Sequence, residues 1–97
     1  MKRAVLALLV AAGCARRMPP RATPADAQRA NMTVAELEDG RKLVVAKCGS
    51  RCHQPPMPSD HTALEWPKAL DEMSPRAALS PSERRAIERY LVAMTKR

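Results

Sequence analysis

Apolar residues recur with a helical period in three stretches of the chain, and polar start and stop signals bracket each one. In the first, Val34, Leu37, Val44 and Cys48 fall near one face. Thr33-Val34-Ala35-Glu36 places a hydroxyl at the N-cap and a carboxylate three residues on, the capping-box form. A helix is expected from Val34 to about Lys47. Gly40 lies in its middle, where glycine costs about 1 kcal/mol relative to alanine, so a close approach by another backbone is expected there.

The second stretch opens at Thr62-Ala63-Leu64-Glu65, another capping box, and extends to about Met73. Pro67 would lose a backbone bond in a helix capped by Thr62, which moves the expected start toward Glu65. Ser74-Pro75 is the expected stop. The third begins at Ser80-Pro81-Ser82-Glu83, with Pro at the first helical position. It runs to about Thr95 and sets Ile87, Tyr90, Leu91 and Met94 on one face, with Arg84, Arg85, Glu88 and Arg89 largely elsewhere. No strand alternation and no repeat is visible. The expected fold is all-α, with three main helices.

The ends of the chain read differently. Lys2 and Arg3 precede an apolar run, Ala4–Ala12, too short to cross a bilayer as a helix. With Gly13-Cys14 after it, residues 1–13 have the form of a secretory signal. Ala11-Ala12-Gly13-Cys14 resembles a bacterial lipobox, which implies a lipid on Cys14. An ordinary signal peptide cut nearby, or an uncleaved anchor, are the other readings. Residues 14–32 are rich in Ala, Arg and Pro and are expected to be a disordered tether. The domain is then 33–97.

The formal charge of +7 falls to +5 once Lys2 and Arg3 are removed. A basic chain can bind nucleic acid. An exported one meets none, and one Trp, one Tyr and no Phe leave little to stack on bases. Steering of acidic partners or contact with anionic lipid fits the charge better. A domain of about 65 residues with so few aromatics is near the size at which a core needs a staple.

The chemistry is concentrated in Cys48-Gly49-Ser50-Arg51-Cys52-His53. Covalent haem attachment takes two thiols and an imidazole directly after the second, usually as C-x-x-C-H. Here the spacing is one residue longer, and Gly49 and Ser50 would let the extra residue bulge outward. The same thiols could form a disulfide, which persists in exported proteins. Cys48, Cys52, His53 and His61 could also hold zinc, although common zinc sites use two separated pairs.

With the helices placed, residues 34–95 resemble a small class I cytochrome c domain. Gly40-x-x-Leu43-Val44-x-x-x-Cys48 is similar to the family's N-terminal helix, which packs on a C-terminal helix that Ile87-x-x-Tyr90-Leu91 resembles. Trp66-Pro67 followed by Met73 looks like the segment that brings up a second axial ligand in short bacterial members. The resemblance implies haem c bound through Cys48 and Cys52, with His53 as proximal and Met73 as distal ligand. Met57 is four residues from His53, a reach of at most about 14 Å, too little to round the ring. His61 has just enough chain and is the alternative distal ligand. Met94 belongs to the core. Trp66 packs on the haem or the C-terminal helix, its N–H a candidate contact to a propionate, and Arg51 and Lys68 are candidates to pair propionates.

The function expected is a monohaem single-electron carrier, lipid-anchored on the periplasmic side, monomeric, acting on redox partner proteins and not itself an enzyme. Ala15 after Cys14, rather than Asp, favours the outer membrane. Two other functions remain open: an exported non-redox binding module with a Cys48–Cys52 disulfide, and a sensor or enzyme with five-coordinate haem. No paired-carboxylate cluster, phosphate loop or nucleophile elbow is present.

Overall fold

The computed structural model describes residues 17–49 and 54–95. The signal segment 1–13, Cys14, Arg51, Cys52 and His53 lie outside the described residues. Those described form four α-helices: α1 (Pro24–Ala30), α2 (Val34–Leu43), α3 (Trp66–Ala77) and α4 (Pro81–Thr95). A π-helical turn, Val44–Cys48, continues α2, and a 3₁₀ turn covers Pro58–Asp60. There is no strand among the described residues.

Helix α4 is the element on which the others pack. It meets α2 most extensively, and also α1, α3 and the 3₁₀ turn. Its bounds follow from the sequence: Ser80 Oγ accepts from the Glu83 N–H (3.1 Å) and Glu83 Oε1 from the Ser80 N–H (2.9 Å). Ile87, Tyr90, Leu91 and Met94 are all buried, as the periodicity required. Opposite them lie Leu37, Gly40 and Val44, and Cys48 at the end of the π turn is buried as well. Each fully buried Leu or Ile contributes roughly 1.5–3 kcal/mol. The two aromatic residues, Trp66 and Tyr90, are both completely buried and are the largest bodies in the core. These side chains close a core that contains no Phe.

The crossing of α2 and α4 is set by Gly40. An added Cβ there would stand 2.5 Å from the Ala86 carbonyl oxygen and 2.7 Å from the Tyr90 Cβ. The helix weakened by this glycine gains a backbone-to-backbone approach that no other residue permits.

Of the two ends of α3, the start falls next to Glu65, as Pro67 required, and the stop differs from expectation. The Thr62–Glu65 capping bonds form, with the Thr62 N–H on Glu65 Oε1 at 2.8 Å, yet they close a turn ahead of α3. The helix itself starts at Trp66, so Pro67 falls in the first turn, where its missing N–H costs nothing. At the other end, Ser74-Pro75 does not stop α3, which continues to Ala77. Termination comes from Ala78 in the left-handed region (φ 56°). The Leu79 N–H reaches back to the Ser74 carbonyl at 3.1 Å, and the Ala78 N–H to the Pro75 carbonyl at 3.2 Å. That is a Schellman closure, and Pro75 is close enough to the end to be carried within it.

The larger correction concerns residues 17–32, expected to be part of a disordered tether. They fold onto the domain. Thr23-Pro24-Ala25-Asp26 is itself a capping box, with Asp in place of the usual Glu or Gln, and it nucleates α1. The Asp26 carboxylate is buried (2% exposed) and accepts from the Thr23 N–H at 2.9 Å and Arg29 Nη2 at 2.8 Å. Ahead of α1, Pro19 is fully buried and its carbonyl accepts from Arg41 Nε at 2.9 Å. The Pro20 carbonyl accepts from the Tyr90 hydroxyl, and the Ala22 N–H donates to Glu38 Oε2 at 2.8 Å. Composition had suggested a chain with nothing to bury. Its proline carbonyls are strong acceptors, and α2 and α4 supply the donors. The folded unit therefore begins well before residue 33.

Candidate cofactor site

Cys48 ends the π turn. That turn falls where two β-branched residues, Val44 and Val45, follow each other, and the Gly49 N–H bonds to the Val44 carbonyl five residues back at 3.1 Å. Such widenings of a helix are frequent at functional sites. Gly49 has ordinary right-handed geometry (φ −66°). A Cβ on it would lie 2.5 Å from the Val45 carbonyl oxygen and 3.3 Å from Pro55 Cγ. Glycine is thus required here by a close approach, not by an unusual backbone conformation. The Cys48 side chain belongs to the core cluster with Trp66, Leu70 and Val44, and is 4% exposed.

Helix α3 carries the other half of the site. Met73 is half-buried and packs against that same core cluster. It lines a groove of about 550 Å³ together with His61, Leu64, Glu65, Lys68, Ala69 and Glu72. Both candidate distal ligands, Met73 and His61, therefore border one groove. Lys68, a candidate propionate partner, borders it too. Leu64 is 92% exposed, a large apolar side chain on a rim where burial would gain most. Sequence reasoning passed over Leu64. Its signal was an apolar residue in the solvent-facing part of a capping box. The Ser74 hydroxyl, next to Met73, is buried without a hydrogen-bond partner among the described residues.

Trp66 is buried next to this region and touches His61. Its indole N–H faces the Pro58 carbonyl and the Thr95 hydroxyl, both at 3.1 Å. It is thus engaged within the protein, against the expectation that it could serve a propionate. The His61 ring meets the Trp66 ring edge-on, with centroids 4.7 Å apart and planes at 76°, so the 3₁₀ turn and α3 hold the imidazole together. Met94, 3% exposed on α4, is a core residue as expected. The Glu65 carboxyl is held below the usual carboxylate range, first by the Thr62 backbone N–H, then by the Thr62 hydroxyl, with a smaller contribution from the charge of His61. Salt bridges tie the site's elements to α4. Arg84 bonds Asp71 at 2.6 Å and the Pro67 carbonyl at 2.9 Å, and Lys47 pairs with Glu83 at 3.3 Å.

Met73 and His61 border one groove, and Cys48 lies buried in the core cluster against which Met73 packs. The described residues supply a thiol at a helix end, a thioether and an imidazole on one groove, and an exposed apolar rim. Among the described residues no three His, Cys, Asp or Glu side chains converge as a metal site, and two members of the Cys48, Cys52, His53 and His61 set lie outside them. No described helix is long and apolar enough to cross a membrane. Neither a family model, nor a curated protein, nor a solved structure matches the chain. The class that the structure defines is an all-helical domain.

Proposed function

We propose that this chain is a lipid-anchored, periplasm-facing c-type cytochrome that carries single electrons. The observation that carries the reading is the shared groove: Met73 and His61 border it, and Leu64 offers it uncovered apolar surface. The Gly40 crossing, the buried Cys48 at the end of the helix and the C-x-x-x-C-H spacing support it. Cys48 and Cys52 would hold the haem by adding their S–H bonds across its two vinyl groups, an addition with no net oxidation. His53 would be the proximal ligand and Met73 the distal one. The haem supplies a one-electron iron couple, and the protein's part is to position and tune it. A methionine sulfur raises the potential relative to two histidines. With both axial positions filled no site is left for substrate, which makes the protein a carrier and not an enzyme.

A second reading rests on the depth of Cys48. A thiol 4% exposed in a core cluster also suits a structural disulfide to Cys52, and the protein would then be an exported binding module.

Intact mass of the protein made in a host with cytochrome c maturation machinery separates them. A gain of one haem that survives denaturation, and that is lost in Cys48→Ser with Cys52→Ser, is expected. A mass short by two hydrogens, with no haem, gives the disulfide module instead.

A further inference from the structure

Resting on that reading, we infer that a lipid on Cys14 is joined by a short leash to a strap docked beside the groove, so that anchorage presents the groove to the membrane surface and its electron partner is a protein seated in the same membrane. The strap of residues 17–23 carries the inference. Its two proline carbonyls are bonded to Arg41 and Tyr90, and the Ala22 N–H to Glu38, across the α2–α4 crossing. At its start, Arg17 Nη2 lies 3.8 Å from Asp60 Oδ1. Asp60 ends the 3₁₀ turn and precedes His61, which lines the groove. That ion pair is exposed and contributes little energy, but it locates the strap's entry at the groove side of the domain.

Covalent length then sets the reach. From Cys14 to a docked Pro19 is five residues, at most about 17 Å whatever their conformation. From Cys14 to Thr33, the span a free tether would have, is nineteen residues and at most about 65 Å. The short leash holds the groove near the headgroups and denies it partners far from the bilayer. The buried Pro19 and the buried Asp26 behind it make the strap part of the fold, so the leash does not lengthen without local unfolding.

The test uses the full lipidated haem protein on a supported phosphatidylethanolamine–phosphatidylglycerol bilayer, with the height of the protein layer read by neutron reflectometry. A layer abutting the headgroups is expected. Inserting a fifteen-residue Gly/Ser spacer between Arg16 and Arg17, which leaves the fold untouched, should move the layer outward. Arg41→Ala with Tyr90→Phe should broaden it outward and open the chain to trypsin after Arg21. A wild-type layer standing tens of ångströms off the bilayer, or wild-type cleavage after Arg21 as fast as in the variant, overturns the leash alone. Mass spectrometry of Cys14 without lipid overturns the leash and the anchor together, while loss of haem with lipid retained overturns the carrier reading and with it the redox partner.

Discussion

The backbone of α4 at Ala86 passes so close to Gly40 that a single methyl group would not fit: the Cβ would lie 2.5 Å from the Ala86 carbonyl oxygen. The neighbour is main chain, which yields only if the helices part. Gly40→Ala gains about 1 kcal/mol of helix propensity and incurs overpacking of typically 1–3 kcal/mol. Denaturant unfolding should show a net loss of up to about 2 kcal/mol, toward the upper end because the neighbour is main chain. A variant as stable as the wild type would mean that the crossing is not held this tightly.

Ala78 adopts a left-handed conformation (φ 56°) to close α3. An L-residue pays roughly 1–2 kcal/mol for that geometry and glycine does not. Ala78→Gly should therefore raise stability, by about 1 kcal/mol once the entropy of glycine in the unfolded chain is included. A fall in the thermal midpoint would contradict the Schellman closure.

Acid should weaken the fold through its capping boxes. Glu36, Glu65 and Glu83 are each held below the usual carboxylate range, first by the backbone N–H of Thr33, Thr62 and Ser80 respectively. Their folded pKa values lie below the unfolded one, so between the two the unfolded state binds more protons. The stability they add is complete above the unfolded value of about 4.3 and is lost as pH falls through the folded values. Thermal midpoints should be flat above about pH 5 and fall below about pH 4. The triple variant Glu36→Gln, Glu65→Gln, Glu83→Gln should show a shallower fall.

Trp66 is the only tryptophan in the chain, and the His61 ring that borders the groove touches its edge. A haem in that groove would quench its fluorescence. Emission should be weak in the folded haem protein, return on unfolding in denaturant, and be strong in folded Cys48→Ser with Cys52→Ser. Equal emission from both folded proteins would place the haem elsewhere or exclude it.

Met73 and His61 compete for the distal position, and spectra distinguish them. Met73→Ala should abolish the near-infrared band of methionine bound to ferric haem, and His61→Ala should leave it. The reverse result would assign His61. The absence of the band in the unaltered protein would favour a five-coordinate or bis-histidine iron.

Helix α4 was legible because its signals are local: a Ser N-cap, Pro at N1, Glu at N3 and an apolar face at spacings of three and four all agree. Gly40 was legible as well, since a glycine in mid-helix has a price that only a close neighbour offsets. The end of α3 was not, because the effect of Pro75 depends on how many residues the helix still has to run. The strap was read as disorder because its composition has few apolar side chains, while its attachments are carbonyl oxygens that any sequence carries.

By itself the sequence determined the helical class and the starts of α2 and α4, and it named the candidate residues for cofactor chemistry, because these depend on groups within a few positions of each other. Only the tertiary structure decided that residues 17–32 belong to the domain, that the Trp66 N–H is engaged by Pro58 and Thr95, and that His61 and Met73 share one groove. Those facts depend on donors and acceptors brought together from positions up to 70 residues apart, and no local pattern records which of them will meet.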